Sequence, residues 1–206
     1  MVAQIAIAIG VALILVVLYL VVWTGHETSR AQADLRSSFR TGETGGRGGA
    51  AASQGDGVAI LHIPALGKKW EWVVVEGVDD DSLAQGPGHF PGTALPGQVG
   101  NFAVAGHRAT HGEPFAHLDR LKAGDPIVVE TAQGWLTYRV TSNRILPATA
   151  TDVIAPVSGS PGAAATRSTL TLVTCHPRWD STERLVVGAE LVETRAADAG
   201  PPAGLS

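Results

Sequence analysis

The sequence predicts an all-β domain, a closed barrel or a two-sheet sandwich, preceded by an apolar amino-terminal segment. Seven short segments rich in Val, Ile and Thr follow residue 57, at the spacing typical of barrels and sandwiches. Gly, Pro and Asp separate these segments, and the chain contains 25 Gly and 12 Pro among its 206 residues. Beyond residue 57, helical patterns are confined to single turns near residues 80–84 and 114–121.

Each predicted strand is bounded by turn residues and is short for a helix. The strands read, in order, VAILHI, WEWVVVEG, NFAVAGH, DPIVVET, GWLTYRVTSNRIL, STLTLVTC and RLVVGAELVE. They place the folded domain at residues 58–195. A Gly/Pro-rich loop, GPGHFPGTALPGQVG, precedes the third strand, and a second long loop covers residues 147–167. Loops of that length in a compact domain are more often functional than idle.

The segment Ile5–Trp23 is an apolar run without a charged residue. About 20 helical residues cross the hydrocarbon core of a bilayer, so the run is long enough to span it. No Lys or Arg precedes the run and no small-residue cleavage site follows, so we expect a retained anchor at residues 1–23 rather than a signal peptide. The next arginines are Arg30, Arg36 and Arg40, and the positive-inside rule alone would place the carboxyl side in the cytoplasm.

Both segments that flank the folded domain are expected to be flexible. Residues 24–57 are interpreted as a linker, because TGETGGRGGAAASQGDG is rich in Gly and lacks periodicity, with a short helix at AQADLRSSFR. Residues 196–206 are expected to be a disordered tail.

Composition and spacing exclude several classes of function. The formal net charge of −4 provides no basic field, so no nucleic-acid partner is expected. Cys175 is the single cysteine, which excludes an internal disulfide framework and a cysteine-based zinc site. His107 and His111 have an H-x-x-x-H spacing, but Arg108 replaces the glutamate that a zinc protease needs, so no metal is expected. The acidic residues 79–81 are expected to cap a helical turn rather than bind calcium. We expect no cofactor.

The alternation of side chains along a strand places three reactive residues away from the apolar face. Cys175 has the parity opposite to the leucines of STLTLVTC. His107 opposes Phe102 in NFAVAGH, and Arg184 opposes Leu185 in RLVVGAELVE. This shared parity argues against an inert core cysteine.

Together these three side chains are sufficient for acyl transfer through a thioester. A thiol is intrinsically a strong nucleophile, and a nearby His can act as base or as the acid that protonates a leaving amine. An Arg can stabilise the negative charge that develops on the carbonyl oxygen.

The residues around this constellation resemble those of sortases, the membrane-anchored cysteine transpeptidases of Gram-positive cell surfaces. The family motif T-L-x-T-C is matched by TLVTC, which ends at Cys175, and the family His and Arg fall on His107 and Arg184 in the same order. The stretches GPGHFPG, GNFAVAGHRATHGEPF and TCHP are most similar to class E sortases of actinobacteria. The resemblance covers about residues 58–193 and implies an eight-stranded β-barrel.

The resemblance also implies a reaction and its partners. Cys175 would attack the Thr–Gly carbonyl of a C-terminal sorting signal, of the Leu-Ala-x-Thr-Gly type, on a surface protein. His107 would protonate the leaving glycine amine, and Arg184 would stabilise the oxyanion or align the substrate threonine. An amino group of the cell-wall precursor lipid II would then accept the protein. Such substrates imply a catalytic domain outside the membrane, against the positive-inside count.

Three further residues are candidates for substrate binding because of their positions beside the nucleophile. Thr174 precedes Cys175, His176 follows it, and Trp179 lies between Cys175 and Arg184. The loop at residues 147–167 is expected to form one wall of the substrate groove.

Two other functions remain open at this point. An L,D-transpeptidase is also a β-rich cell-wall enzyme with Cys and His, but its cysteine follows S-H-G, which LVTC does not match. A non-catalytic, membrane-tethered β-domain accounts for the anchor and the strands, although not for the shared parity of the three reactive residues.

Overall fold

Eight strands close into one barrel in the computed structural model, which describes residues 2–42 and 52–205. The strands are β1 (Gly57–His62), β2 (Glu71–Glu76), β3 (Gly88–His89), β4 (Gly100–Ala105), β5 (Pro126–Thr131), β6 (Gly134–Pro147), β7 (Ser168–His176) and β8 (Glu183–Ala196). Their order around the barrel is β1–β2–β3–β4–β7–β8–β6–β5, and β5 pairs back onto β1. The predicted closed eight-stranded barrel is confirmed, and the alternative of a two-sheet sandwich is wrong.

The described helices are α1 (Val2–Thr41), α2 (Asp80–Gln85) and several short 3-10 turns. Asp79 caps α2 as predicted, because its carboxylate accepts hydrogen bonds from the Ser82 hydroxyl at 2.7 Å and the Ser82 N–H at 3.1 Å. These bonds, the hydroxyl first, lower the pKa of Asp79 to about 2. The predicted turn near PFAHLDRL is a 3-10 turn at Leu118–Arg120.

The side chains of β7 and β8 alternate between the barrel interior and its outer face. Leu170, Leu172 and Leu185 point inward and join the main hydrophobic core. Val173 and Val186 point outward and belong to a second, smaller cluster. Cys175 and Arg184 share the parity of this outer pair, so the strand ends carry them on the outer face.

The loop at residues 147–167 covers part of that outer face. Its 3-10 turn, Thr151–Ile154, packs Val153 against Val173 and Val186. The side-chain amide of Asn101, on β4, donates hydrogen bonds to the carbonyls of Val153 and Ala155 at 2.9 and 3.0 Å. Two hydrogen bonds to β4 and apolar packing on β7 and β8 therefore hold the loop against the strands that carry Cys175 and Arg184.

The expected flexible linker is wrong in its first part. Helix α1 continues without interruption through residue 23 as far as Thr41, while residues 43–51 lie outside the described part of the chain. The helix persists because it packs on the barrel: Thr28, Gln32 and Phe39 are buried, at 1, 4 and 8 % exposure. Among the residues that the structure describes, no helix qualifies as a membrane span by length and apolar character together.

The carboxyl-terminal boundary lies close to the predicted one. Strand β8 ends at Ala196, and the chain continues into a 3-10 turn at Ala197–Ala199. Residues 200–205, expected to be disordered, are described as far as Leu205, and Pro202 is buried.

Candidate active site

Cys175 lies at the end of β7, between the chain segment that carries His107 and the strand that carries Arg184. In the antiparallel β7–β8 pair, Cys175 is directly opposite Arg184. On the other side, β4 runs parallel to β7, and the Gly106 N–H donates to the Val173 carbonyl at 3.1 Å just beyond the last paired residue of β4. His107 is the next residue, so one edge of the barrel brings the three predicted residues together. All three side chains are half-buried.

The segment around His107 is fixed to β7 by Thr174. The Thr174 hydroxyl donates a 2.7 Å hydrogen bond to the Gly106 carbonyl, and the residue is 3 % exposed. Its parity is that of the inward leucines, because it is one residue from Cys175. The side chain is buried and its hydrogen bond positions the residue before His107, while substrate binding by Thr174 stays a prediction.

His107 is stacked against a second histidine. The rings of His107 and His111 lie 4.6 Å apart between centroids, with 25° between their planes. Burial is the larger cause that lowers the pKa of His107 from 6.5, and the charge of His111 lowers it further, while Asp80 opposes both. At neutral pH the environment therefore favours the neutral imidazole, which can accept a proton from a thiol.

Replacing His111 with Ala is expected to raise the pKa of His107, because the change removes a neighbouring charge and admits water to the ring. The limb of the pH–rate profile that reports His107 should move to higher pH. Asp80→Asn is the matched opposite change: it removes a negative charge, so the same limb should move to lower pH. Histidine titration by NMR measures both shifts, and movement in the same direction for both variants would contradict this electrostatic account.

Arg184 is anchored by the turn that precedes it. Its Nη1 donates to the carbonyls of Ser181 at 2.7 Å and Glu183 at 2.9 Å. Both bonds go to backbone oxygens, so no carboxylate neutralises the guanidinium through them. A cation held in this way beside Cys175 can stabilise a developing oxyanion.

Arg108 is a functional candidate that the sequence analysis missed. It is 7 % exposed, and its Nη1 donates to the Cys175 carbonyl at 3.3 Å and to Nδ1 of His176 at 2.6 Å. Its Nη2 donates to Asp119 at 3.1 Å. The guanidinium of Arg108, the residue after His107, is thus bonded both to Cys175 and to His176. The only signal in the sequence was its place next to His107.

Arg108→Lys is expected to lower kcat while changing KM little. A lysine cannot reproduce the planar set of donors that connects three partners, so the β7 end and the His107 segment would shift relative to each other. Misplacement by about 1 Å can cost about 100-fold in rate. Steady-state kinetics on a peptide substrate measures the effect, with the exposed Arg120→Lys as matched control. Equal kcat values for the two variants would remove Arg108 from the positioning machinery.

The two remaining predicted substrate residues lie in the β7–β8 turn. His176 uses Nδ1 to accept from Arg108, because an arginine can only donate, so its ordering role is visible in the geometry. Trp179 is 74 % exposed, and the Arg178 guanidinium lies 5.4 Å from the centroid of its ring. Arg178 also pairs with Glu113, which joins this turn to the loop after His107. Substrate binding by His176 and Trp179 stays a prediction.

A groove of about 410 Å³ lies under the loop at residues 147–167, on the outer face of β6, β7 and β8. Its floor includes Thr171 and Gly188, which pair with each other four residues along the strands from Cys175 and Arg184. Along β7 the floor begins at Thr171, about 13 Å from the thiol at about 3.3 Å per residue, and Val186 on β8 brings the lining two residues nearer. The groove and the three reactive side chains therefore share one face of the barrel.

Within residues 2–42 and 52–205, no group of three or more His, Cys, Asp or Glu side chains has the arrangement of a metal site. The side chains gathered at this edge are one thiol, the imidazoles of His107, His111 and His176, and several guanidinium groups.

Comparisons with known proteins agree with this geometry. The Sortase domain profile matches residues 61–192. Sortase SrtE1 of Streptomyces coelicolor is 36 % identical over 221 residues, covering 99 % of this chain and 60 % of that protein. Sortase SrtE2 of the same organism is 32 % identical over 211 residues, covering 95 % of this chain and 82 % of that protein. This chain thus covers less than two thirds of the length of SrtE1.

Solved structures give the same result for the barrel. Sortase E from Streptomyces avermitilis is 39 % identical with a TM-score of 0.68, covering 75 % of this chain and 99 % of that one. Sortase E1 from Streptomyces coelicolor, with a tripeptide in its active site, is 36 % identical with a TM-score of 0.68, covering 76 % and 100 %.

The profile match covers more than half of the chain. The strands close into one barrel, and the single cysteine and the flanking His and Arg lie on one face of it. Sequence similarity extends to class E proteins along nearly the whole chain. The chain belongs to the sortase family of cysteine transpeptidases, with class E sortases among its relatives.

Proposed function

We propose that this chain cleaves a C-terminal sorting signal of the Leu-Ala-x-Thr-Gly type between Thr and Gly, and joins the new carboxyl end to an amine of a cell-wall precursor. The observation that carries the proposal is the position of Cys175 on the outer face, between the segment of His107 and the directly paired Arg184. A half-buried thiol beside an imidazole and a backbone-anchored guanidinium has the parts that acyl transfer needs.

In the first step, the sulfur of Cys175 attacks the threonine carbonyl while the neutral His107 takes the thiol proton. Negative charge develops on the carbonyl oxygen, and Arg184 stabilises it. The C–N bond then breaks, His107 gives its proton to the leaving glycine amine, and a thioester remains on Cys175. The lowered pKa of His107 suits this exchange, because the ring is neutral before the thiol proton arrives and then readily gives that proton to the leaving amine.

In the second step, an amino group of the acceptor attacks the thioester carbonyl. A new C–N bond forms, the C–S bond breaks, and the proton of the amine passes through His107 back to the sulfur. The products are a peptide bond to the acceptor and the free thiol of Cys175. Lipid II is the proposed acceptor, and surface proteins with a C-terminal signal are the proposed donors.

The groove under the loop at residues 147–167 is proposed to receive the signal residues before the scissile bond. Its floor begins about 13 Å from Cys175 along β7, a distance that four extended residues span. Thr171 and Gly188 lie in this floor. A signal laid along the strands would place its threonine carbonyl at the thiol and its first residues under the loop.

We also propose that the apolar part of α1 anchors the protein in a membrane, with the barrel on the outer side. The run Ile5–Trp23 has no charged residue. Its described large side chains, among them Ile7 and Leu13, are more than half exposed, which leaves an apolar surface that water does not favour. Arg36 and Arg40, which opposed this orientation in the charge count, lie within 2.8 and 3.8 Å of Glu71 on the barrel. They belong to the folded domain rather than to a free cytoplasmic flank.

The test uses the full chain in detergent with a fluorogenic Leu-Ala-Glu-Thr-Gly peptide, with and without a glycine amine. We expect cleavage between Thr and Gly, a thioester adduct on Cys175 by mass spectrometry, and transfer to the added amine. Absence of both turnover and adduct across several signal variants would leave a tethered, non-catalytic β-domain. Cleavage at another bond would remove the proposed signal but keep the thiol chemistry.

A further inference from the structure

The second half of α1 is hydrogen-bonded to the barrel where part of β2 lacks a neighbouring strand. Strand β3 has only two residues, so the backbone of Val73 on β2 has no strand to pair with on that side. The Gln32 amide takes that place: its Oε1 accepts from the Val73 N–H at 2.8 Å, and its Nε2 donates to the Val73 carbonyl at 3.0 Å. The same Nε2 donates to the Gln85 carbonyl at 2.9 Å. A buried side chain that pairs with both groups of a strand residue fixes the helix closely.

Contacts on both sides of Gln32 fix the direction of the helix. Towards its amino end, the Thr28 hydroxyl donates to the Ala84 carbonyl of α2 at 2.7 Å. Towards its carboxyl end, Arg36 pairs with Glu71 at 2.8 Å. On the same part of the helix, Leu35 and Phe39 pack against Ile60 and Val73. These contacts extend over about three turns, so the docked half of α1 and the barrel form one rigid unit.

The amino end of this docked half lies at the catalytic end of the barrel. A Cβ at Gly112 would be 3.6 Å from Cγ2 of Thr28. Gly112 follows His111, which stacks on His107. Thr28 is five residues past Trp23, about 8 Å along the helix axis. The apolar run therefore ends close to the loop that carries the base.

We propose that the docked half of α1 holds the catalytic end of the barrel against the headgroup region of the bilayer. This inference rests on the proposed function, since it requires that the apolar run enter a membrane. A rigid, rather than flexible, connection then presents Cys175 at the membrane interface.

The turn beside the nucleophile exposes one side chain suited to a membrane interface. Trp179 is exposed, and its ring, an apolar body with a polar N–H, suits the headgroup region. Arg178 lies over this ring and pairs with Glu113, and the same turn also exposes Asp180 and Glu183. The occupant of this surface is the bilayer into which the chain's own helix enters.

The single cysteine allows a direct test. The full chain is labelled at Cys175 with a donor dye and inserted into lipid vesicles that carry an acceptor dye on their headgroups. The matched control is Ala132→Cys in a Cys175→Ser background, since Ala132 is exposed in the β5–β6 turn at the opposite end of the barrel. We expect more efficient energy transfer from position 175. Equal or reversed efficiencies would overturn the inference.

A spacer variant measures the role of the docked helix. Seven alanines inserted after Gly25 lengthen α1 by about 10 Å while nearly keeping its face. The distance from position 175 to the headgroups should grow by about that amount, and peptide cleavage in detergent should not change. An unchanged distance would show that the barrel is not held by α1.

The outcomes separate this inference from the proposed function. Chain that fails to float with vesicles would remove the proposed anchor and the orientation together, while cleavage in detergent still tests the chemistry. Chain that floats and cleaves peptide, with Ala132→Cys nearer to the lipid, would remove the orientation alone.

Discussion

Replacing Cys175 with Ala is expected to abolish both cleavage of the sorting peptide and transfer to an amine. In the proposed mechanism the thiol forms the bond to the threonine carbonyl, and no other cysteine in the chain can replace it. Loss of a covalent nucleophile lowers kcat/KM by about 1000-fold or more. Chromatographic separation of products measures the residual rate, and intact mass measures the missing thioester.

The same variant has an internal control for folding. Cys175 is half-buried at a strand end, so a smaller side chain there should leave the thermal unfolding midpoint close to that of the unchanged protein. A thiol reagent should label only the unchanged protein, one group per chain. Retention of a tenth or more of the cleavage rate in a folded, unlabelled variant would mean that another group attacks the substrate.

Replacing His107 with Gln is expected to cause the second large loss of activity. Glutamine is a polar side chain of similar size but cannot accept the thiol proton or protonate the leaving amine. General acid–base catalysis contributes about 100- to 10,000-fold, and we expect a loss in that range, mainly in kcat. The rate of the variant should also lose the limb of its pH profile that reports the imidazole.

The exposed His26→Gln, on α1, is the matched control and should behave as the unchanged protein. Burst kinetics identify the affected step, since the size and rate of the burst report thioester formation and the steady-state rate reports its transfer to the amine. A pH profile identical to that of the unchanged protein would assign the titrating group elsewhere, with His111 as the first candidate because it stacks on His107.

Local patterns were enough to predict an all-β domain, as a barrel or a sandwich, and the face that carries the reactive residues. Val- and Leu-rich segments separated by Gly and Pro have few alternatives to strands, and alternation along β7 and β8 places Cys175 and Arg184 opposite the inward leucines whatever the strand order. The pairing of Cys175 with Arg184 also follows from a short connection between two adjacent strands. The order β4–β7–β8, by contrast, was not predicted, because it pairs β4 with a strand about 70 residues away in the sequence.

The docked helix and Arg108 could not be predicted in this way. Gln32 and Thr28 bind backbone groups, so they leave no apolar stripe in the sequence, and a Gly-rich segment after residue 42 suggested flexibility for the whole region. Arg108 acquires its partners only when β4 and β7 lie side by side, which brings together residues 67 and 68 positions apart. The hydrogen bond of Thr174 to the Gly106 carbonyl could not be predicted either, because a motif position does not show which partner a side chain meets.

The short β3 has a consequence for fragments of this protein. Without α1, the N–H and the carbonyl of Val73 would face solvent as an open β edge, and an open edge is a template on which a strand of another molecule can add. A fragment that begins at residue 52 would therefore be prone to self-association through the open edge of β2 at Val73. By occupying this edge, the amino-terminal helix protects the domain it carries from polymerisation.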